Sequence, residues 1–213
     1  HTVPPMIEPL GPVRKVDTGG ESSHNPRLIH IETWVFDLDN TLYPPSSNLF
    51  EQIDVRIGLF LQGMLSMEPT DARILQKQYF REYGTTLHGL IKNHGTDPRA
   101  FLDFVHAIDF SLIPADPDLA QAIEKLPGRK IIFTNADVFY SNLVMARIGI
   151  SDLFDGIFDI EAADFIPKPH MTTYQRMLGT HDIDPHTAVL VDDLPKNLVP
   201  AAELGMTTVW MRN

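Results

Sequence analysis

The sequence predicts an α/β protein: an open, doubly wound parallel sheet with an all-α segment inserted after its first strand. Three observations carry this expectation. The segments "LIHIETWVFDL" (28–38), "RKIIFTNA" (129–136), "TAVLVDDLP" (187–195) and "TTVWMR" (207–212) each carry a β-branched and aromatic run, as strands covered on both faces do. Between them, residues 138–150, 171–183 and 197–206 carry apolar side chains at three- and four-residue spacing and predict helices. Strands alternating with helices imply right-handed crossovers and a parallel sheet. Between Pro44 and Pro127 the pattern changes to three helical stretches, "SNLFEQIDVRIGLFLQGML", "PTDARILQKQYFREYG" and "DPRAFLDFVHAI", with no buried-strand run. A segment of that length far exceeds a βα loop, so it predicts a separate helical cap.

The 213 residues suffice for one substantial domain carrying a smaller insert. The expected organisation is a flexible tail over 1–27, rich in Pro, Gly, Ser and charge, an α/β core over 28–44 and 128–213, and a cap over 45–127. The formal net charge of −11 argues against binding a nucleic-acid polymer, whose phosphates need clustered Lys and Arg. There is no cysteine, which excludes disulfides, thiol nucleophiles and Cys-based zinc sites and fits a cytoplasmic protein. No apolar run approaches the roughly 20 residues that span a bilayer, and no signal-peptide pattern opens the chain, so no membrane partner is expected. Nine histidines include no H-x-x-x-H or H-E-x-x-H pair of the zinc-binding kind.

In an open α/β sheet, ligands bind beyond the carboxyl ends of the strands. At those ends stand Asp37 and Asp39, then Thr134, Asn135, Ala136 and Asp137, then Asp192 and Asp193, with Lys168 held between two prolines in the facing loop "FIPKPH". Several carboxylates converging with one ammonium repel one another by several kcal/mol at a protein-like dielectric, and an oxygen-seeking dication relieves this. Few carboxylates plus a substrate phosphate suit Mg²⁺ better than a Ca²⁺ cage. Asp37, on the rigid strand end, is placed to attack phosphorus. Asp39 is placed to protonate the leaving oxygen and later to deprotonate water. Thr134 and the N–H groups of Asn135 and Ala136 suit phosphoryl oxygens, and Lys168 the charge of the transition state. The expected metal set is Asp37, Asp39, Asp193 and Asp192. Each motif alone has a bland explanation, for example a strand end with an Asx turn for "DLDNT". Their conjunction, in order, is what is specific.

That conjunction resembles the haloacid dehalogenase-like hydrolase superfamily over residues 30 to 213: "DLDNT" at 37–41, Thr134, Lys168 and Asp192-Asp193 match its four motifs in order. The resemblance implies a Rossmann-like core, Mg²⁺ dependence, an aspartyl-phosphate intermediate and a helical cap between the first two motifs. It also implies that Asp193 ranks above Asp192 as the inner metal ligand. Dehalogenases of the superfamily lack the second acid of the first motif, so Asp39 points to a phosphatase. Several stretches, "FDLDNTLYP", "REYGTTLHGL", "FTNAD", "LFDGIFDIE" and "PKPH", are similar to the pyrimidine 5′-nucleotidase group. The expected substrate is therefore a small phosphorylated metabolite, first a pyrimidine nucleoside 5′-monophosphate, with Thr85, Thr86, His88 and Tyr43 as substrate contacts. The alternatives are a phosphatase for a sugar phosphate or phosphoglycolate, a phosphomutase, and a non-catalytic binding protein on the same fold.

Overall fold

A computed structural model describes residues 28–212; the tail expected over 1–27 lies outside the described residues. Five parallel strands form one sheet: β1 (Thr33–Phe36), β2 (Arg129–Phe133), β3 (Gly156–Phe158), β4 (Ala188–Asp192) and β5 (Thr207–Trp210), in the order β3-β2-β1-β4-β5. β1 is central, with Thr33 opposite Arg129 on one side and Ala188 on the other. The chain leaves β1 for β2 and β3 and then crosses to β4 and β5, so a crevice opens at the carboxyl ends beside β1.

These runs have a direct cause. Along a strand, successive side chains point to opposite faces. Trp34, Phe36, Ile132, Val189 and Val191 enter one buried cluster, while Val35, Ile131, Phe133, Ala188 and Leu190 enter another. The first face is covered by α6 (Val138–Ile148) through Tyr140, Val144, Met145 and Ile148. The second is covered by α7 (Met171–His181) through Tyr174, Met177 and Leu178, and by α8 (Pro195–Glu203) through Ala201.

The segment between β1 and β2 is helical as expected, and it divides. Helices α1 (Leu49–Leu65), α2 (Pro69–Tyr83), α3 (Thr86–His94) and α4 (Pro98–Val105) pack on one another. α5 (Pro117–Glu124) packs instead beside the sheet, next to the turn that follows α6, with the Asp116 N–H donating to the Ile148 carbonyl. Local sequence sets several starts: Pro opens α2, α4, α5 and α8, where its missing N–H is no loss, and Asp97 and Asp116 cap α4 and α5. "YGTTLHGL" is mostly helix: Thr85 is the N-cap of α3 and accepts from the His88 N–H. Gly84 ends α2 at φ +85°, and a Cβ there would stand 3.0 Å from the Lys168 carbonyl oxygen. The turn between α2 and α3 therefore rests on the loop that carries the lysine. Among the described residues, no helix is long and apolar enough to cross a membrane.

Candidate active site

Asp37 follows directly on β1, with its N–H donating to the Val191 carbonyl of β4. Its carboxylate is 7% exposed and is held on both oxygens: Oδ1 accepts from Lys168 Nζ at 2.8 Å and Oδ2 from the Thr41 hydroxyl at 2.8 Å. Thr41 lies one short turn beyond, through Asn40 in the left-handed region (φ 61°) that Asn tolerates. Its hydroxyl oxygen in turn accepts from the Asp193 N–H at 3.1 Å, joining the ends of β1 and β4.

Lys168 is only 1% exposed. Its ammonium donates to Asp37, to Asp192 Oδ2 (2.8 Å) and to the Phe133 carbonyl (2.8 Å), and so uses all three protons. Burial alone would strip its charge; the Asp192 and Asp37 carboxylates outweigh that and hold it protonated. The loop is fixed by Asn135, whose side chain accepts from the Lys168 N–H and donates to the Lys168 carbonyl. Asp192 is wholly buried and committed: to Lys168, to the Leu194 N–H and to the Asn197 amide.

One ammonium does not balance these acids. Burial, with help from the Asp192 and Asp39 charges, pushes the Asp37 carboxyl up to about 7 against the pull of Lys168. Burial and Asp192 push Asp193 up to about 6. Carboxylate oxygens of Asp37, Asp192 and Asp193 all lie within 4.8 Å of one another. Beside them the Asn197 Oδ1 is buried with no hydrogen-bond partner among the described residues, an acceptor suited to a water on a bound ion. An all-oxygen donor set with unbalanced negative charge and an orphaned acceptor fits Mg²⁺.

Asp39 stands outside that acidic cluster. Its Oδ1 accepts from the Tyr43 hydroxyl at 2.5 Å and the Tyr140 hydroxyl at 2.6 Å. Asp37, Asp39, Asn135, Ala136, Lys168 and Asp193 form the polar floor of a cavity of about 230 Å³. The cap supplies its walls, chiefly Phe50, Ile53, Phe80, Leu87, Phe101 and Val105. Thr85 and Thr86 line it too, although the Thr86 hydroxyl donates to the Gln76 carbonyl.

Four expected site residues sit outside the cavity lining. Thr134 is buried, its hydroxyl oxygen accepting from the Ala136 N–H at 3.0 Å, and Asp192 lies beneath the floor. Tyr43 is buried with its hydroxyl turned to Asp39, which commits the phenol to a carboxylate of the protein itself. His88 is buried as well, its Nδ1–H donating to the Phe165 carbonyl at 2.9 Å, a strut between α3 and the lysine loop. The sequence reading missed Tyr140, Asn197, Thr41 and the cap phenylalanines as parts of the site. Thr41 lies inside the motif "DLDNT" and Asn197 five residues beyond Asp192, so their hydrogen-bonding side chains were signals. Tyr140, 101 residues from its partner Asp39, left none.

Known proteins resemble this chain in sequence and in fold. The chain is 29% identical over 222 residues to phosphate metabolism protein 8 of Saccharomyces cerevisiae, an alignment covering 95% of this chain and 63% of that protein. The chain thus spans less than two thirds of that relative's length. Among solved structures, the UTR4 protein of Saccharomyces cerevisiae superposes with a TM-score of 0.54 at 19% identity, covering 84% of this chain and 89% of the other. The hydrolase YfnB of Bacillus subtilis, solved bound to magnesium, gives a TM-score of 0.53 at 16% identity, covering 85% and 86%. A model of the haloacid dehalogenase-like hydrolases matches residues 31–205, which takes in strands β1 to β4, the inserted helices and all four motifs, and the chain belongs to that family.

Proposed function

We propose that the protein is a Mg²⁺-dependent phosphomonoesterase that works through an aspartyl-phosphate on Asp37, with pyrimidine nucleoside 5′-monophosphates as the first substrates to examine. The observation that carries this is the pairing on one cavity floor of a carboxylate held between Lys168 and Thr41 with a second carboxylate, Asp39, that neither touches. A carboxylate oxygen of Asp37 bonds to phosphorus as the ester P–O bond breaks, and Asp39 gives its proton to the departing oxygen. Asp39 then takes a proton from water as that water attacks phosphorus, releasing phosphate and restoring Asp37. Lys168 offsets the charge gathered at Asp37, and the closed apolar walls keep other water away. Asp37 and Asp193, with Asp192 behind them, would hold a Mg²⁺ ion, which would supply electrostatic stabilisation for the phosphoryl group.

The names of the yeast relative, a phosphate metabolism protein, and of the magnesium-bound bacterial hydrolase support phosphate chemistry and this ion. The cavity's phenyl walls suit a flat ring on the leaving alcohol. They favour a pyrimidine nucleotide, or an ester of a more apolar ring alcohol, over phosphoglycolate or a sugar phosphate.

The test is phosphate release from UMP, CMP, phosphoglycolate, a hexose phosphate and p-nitrophenyl phosphate, with Mg²⁺ or EDTA. Turnover that requires Mg²⁺ and is abolished in Asp37→Asn is expected, with UMP and CMP above phosphoglycolate. Mg²⁺-dependent turnover that favours phosphoglycolate overturns the nucleotide assignment; no turnover of any ester overturns the phosphatase.

A further inference from the structure

Asp39 must deliver a proton along one direction, yet a carboxylate on a loop beyond a strand is free to turn about its last bond. Here it is not free. Tyr43 and Tyr140 both donate to the same oxygen, Oδ1, at 2.5 and 2.6 Å, and their own hydroxyl oxygens lie 3.2 Å apart. Phenol O–H···O bonds of this length are at the short end of the range, and Oδ1 can accept both whether or not the other oxygen carries a proton. The phenols are buried, and burial together with the Asp39 charge pushes both well above the usual phenol range, so they stay protonated donors.

Each phenol is itself fixed. Tyr43 comes from the turn that also carries Asp39, four residues on. Tyr140 comes from the first turn of α6, where its N–H donates to the capping Asp137 at 2.7 Å. The Tyr140 ring is stacked against His106 at 4.4 Å between centroids and an angle of 26°. Neither hydroxyl touches the second oxygen of Asp39, and Asp39 lines the cavity whereas the two phenols do not.

We propose that Tyr43 and Tyr140 are paired positioning residues for the leaving-group proton transfer, pinning one oxygen of Asp39 so that the other is presented to the ester oxygen. This rests on the phosphomonoesterase reading. In the step concerned, the Asp37–phosphorus bond forms, the phosphorus–ester oxygen bond breaks, and one proton passes from Asp39 to the ester oxygen. The phenols keep their protons throughout. Their contribution is geometric and is felt only where the departing oxygen needs a proton.

Two esters of similar shape separate this from a merely structural role. Benzyl phosphate leaves as a poor alkoxide and needs the proton; p-nitrophenyl phosphate leaves as a stable phenolate and does not. The quantity to compare is kcat/KM with Mg²⁺ for wild type, Tyr43→Phe, Tyr140→Phe and the double variant, since it includes departure of the ester oxygen. General acid catalysis is worth about 10²–10⁴-fold, so the double variant is expected to lose roughly 10²-fold on benzyl phosphate and only a few-fold on p-nitrophenyl phosphate. The same two substitutions made on Asp39→Asn are expected to cost little more, because groups acting through one carboxylate are not additive. Equal losses on both esters, or full additivity with Asp39→Asn, overturn the proposal while leaving the phosphatase standing. A wild-type protein that releases phosphate from neither these two esters nor UMP overturns both together; where UMP alone is turned over it takes the place of benzyl phosphate, and a double variant as fast as wild type on it overturns the proposal.

Discussion

Lys168 shows how the site is held together before any substrate arrives. One buried ammonium joins the ends of three neighbouring strands through Asp37, the Phe133 carbonyl and Asp192. It does not fully compensate them, since Asp37 is still pushed up to about 7. A free carboxyl in an unfolded chain titrates near 3.9. Between about pH 4 and 7 the folded protein therefore holds a proton that the unfolded chain has released, and this residue's contribution to stability falls as pH rises through that window. Asp193, at about 6, acts in the same direction. Asp37→Asn removes the penalty. In EDTA its melting temperature is expected to match wild type near pH 4 and to exceed it by several degrees at pH 8. Adding Mg²⁺ should raise wild type more than the variant, because binding to the native state stabilises it. Thermal melts across pH check both, and a variant less stable than wild type in EDTA at pH 8 contradicts the account.

At the scale of elements, α4 and α6 meet through one buried carboxylate. Asp137 caps α6 through the Tyr140 N–H and accepts from Arg99 of α4 at 2.6 Å, with His106 at 3.4 Å. Burial would raise this acid, but the hydrogen bonds from His106, Tyr140 and Arg99 outweigh it and hold the carboxyl well below the usual range. Its stabilisation is thus present above about pH 4 and is lost on further acidification. Arg99 is half exposed and also bonds Asp103 and Glu161, which limits what this one pair is worth. Asp137→Ala removes cap and clasp together and is expected to cost about 2–3 kcal/mol in denaturant titrations at pH 7. A cost below about 0.5 kcal/mol would show that the clasp carries no weight. Local signals of this size explain which elements were legible. Strands covered on both faces are rich in apolar side chains, so β1, β2 and β4 could be read directly, and the motif residues are legible because they follow those strands; β5, a partly exposed edge strand, was legible instead from its β-branched and aromatic residues. The place of α5, next to the turn that follows α6, depends on partners far along the chain. So do the phenol pair on Asp39 and the burial of His88 and Tyr43, for which local sequence carries no period or motif.

Across the whole molecule, chemistry and selection come from different parts of the chain. The sheet supplies a charged floor, where the proposed phosphoryl chemistry would take place, and the inserted helices supply walls made mainly of Phe, Ile, Leu and Val. Phe80 of α2, in the cavity lining, is one point where the two parts touch: Lys196, at the start of α8, places its ammonium 3.9 Å from the Phe80 ring centre. The ring remains 38% exposed, which is enough to meet a substrate as well as the lysine. Burial lowers the Lys196 pKa, as expected of an ammonium drawn onto an aromatic face. A phenyl group here contributes contact to the leaving alcohol and nothing to the phosphoryl oxygens. An aromatic contact of about 0.5–1.5 kcal/mol, with the apolar area it covers, corresponds to a change of roughly 10-fold. Phe80→Ala is therefore expected to raise KM for a ring-bearing ester by about that factor with kcat nearly unchanged, the mark of uniform binding. Glycerol phosphate, which has no ring to stack, should be turned over equally by variant and wild type. Steady-state kinetics on the two esters decide it. A loss of kcat shared by both would mean that the cap helps to assemble the floor, and selection could then no longer be assigned to its walls alone.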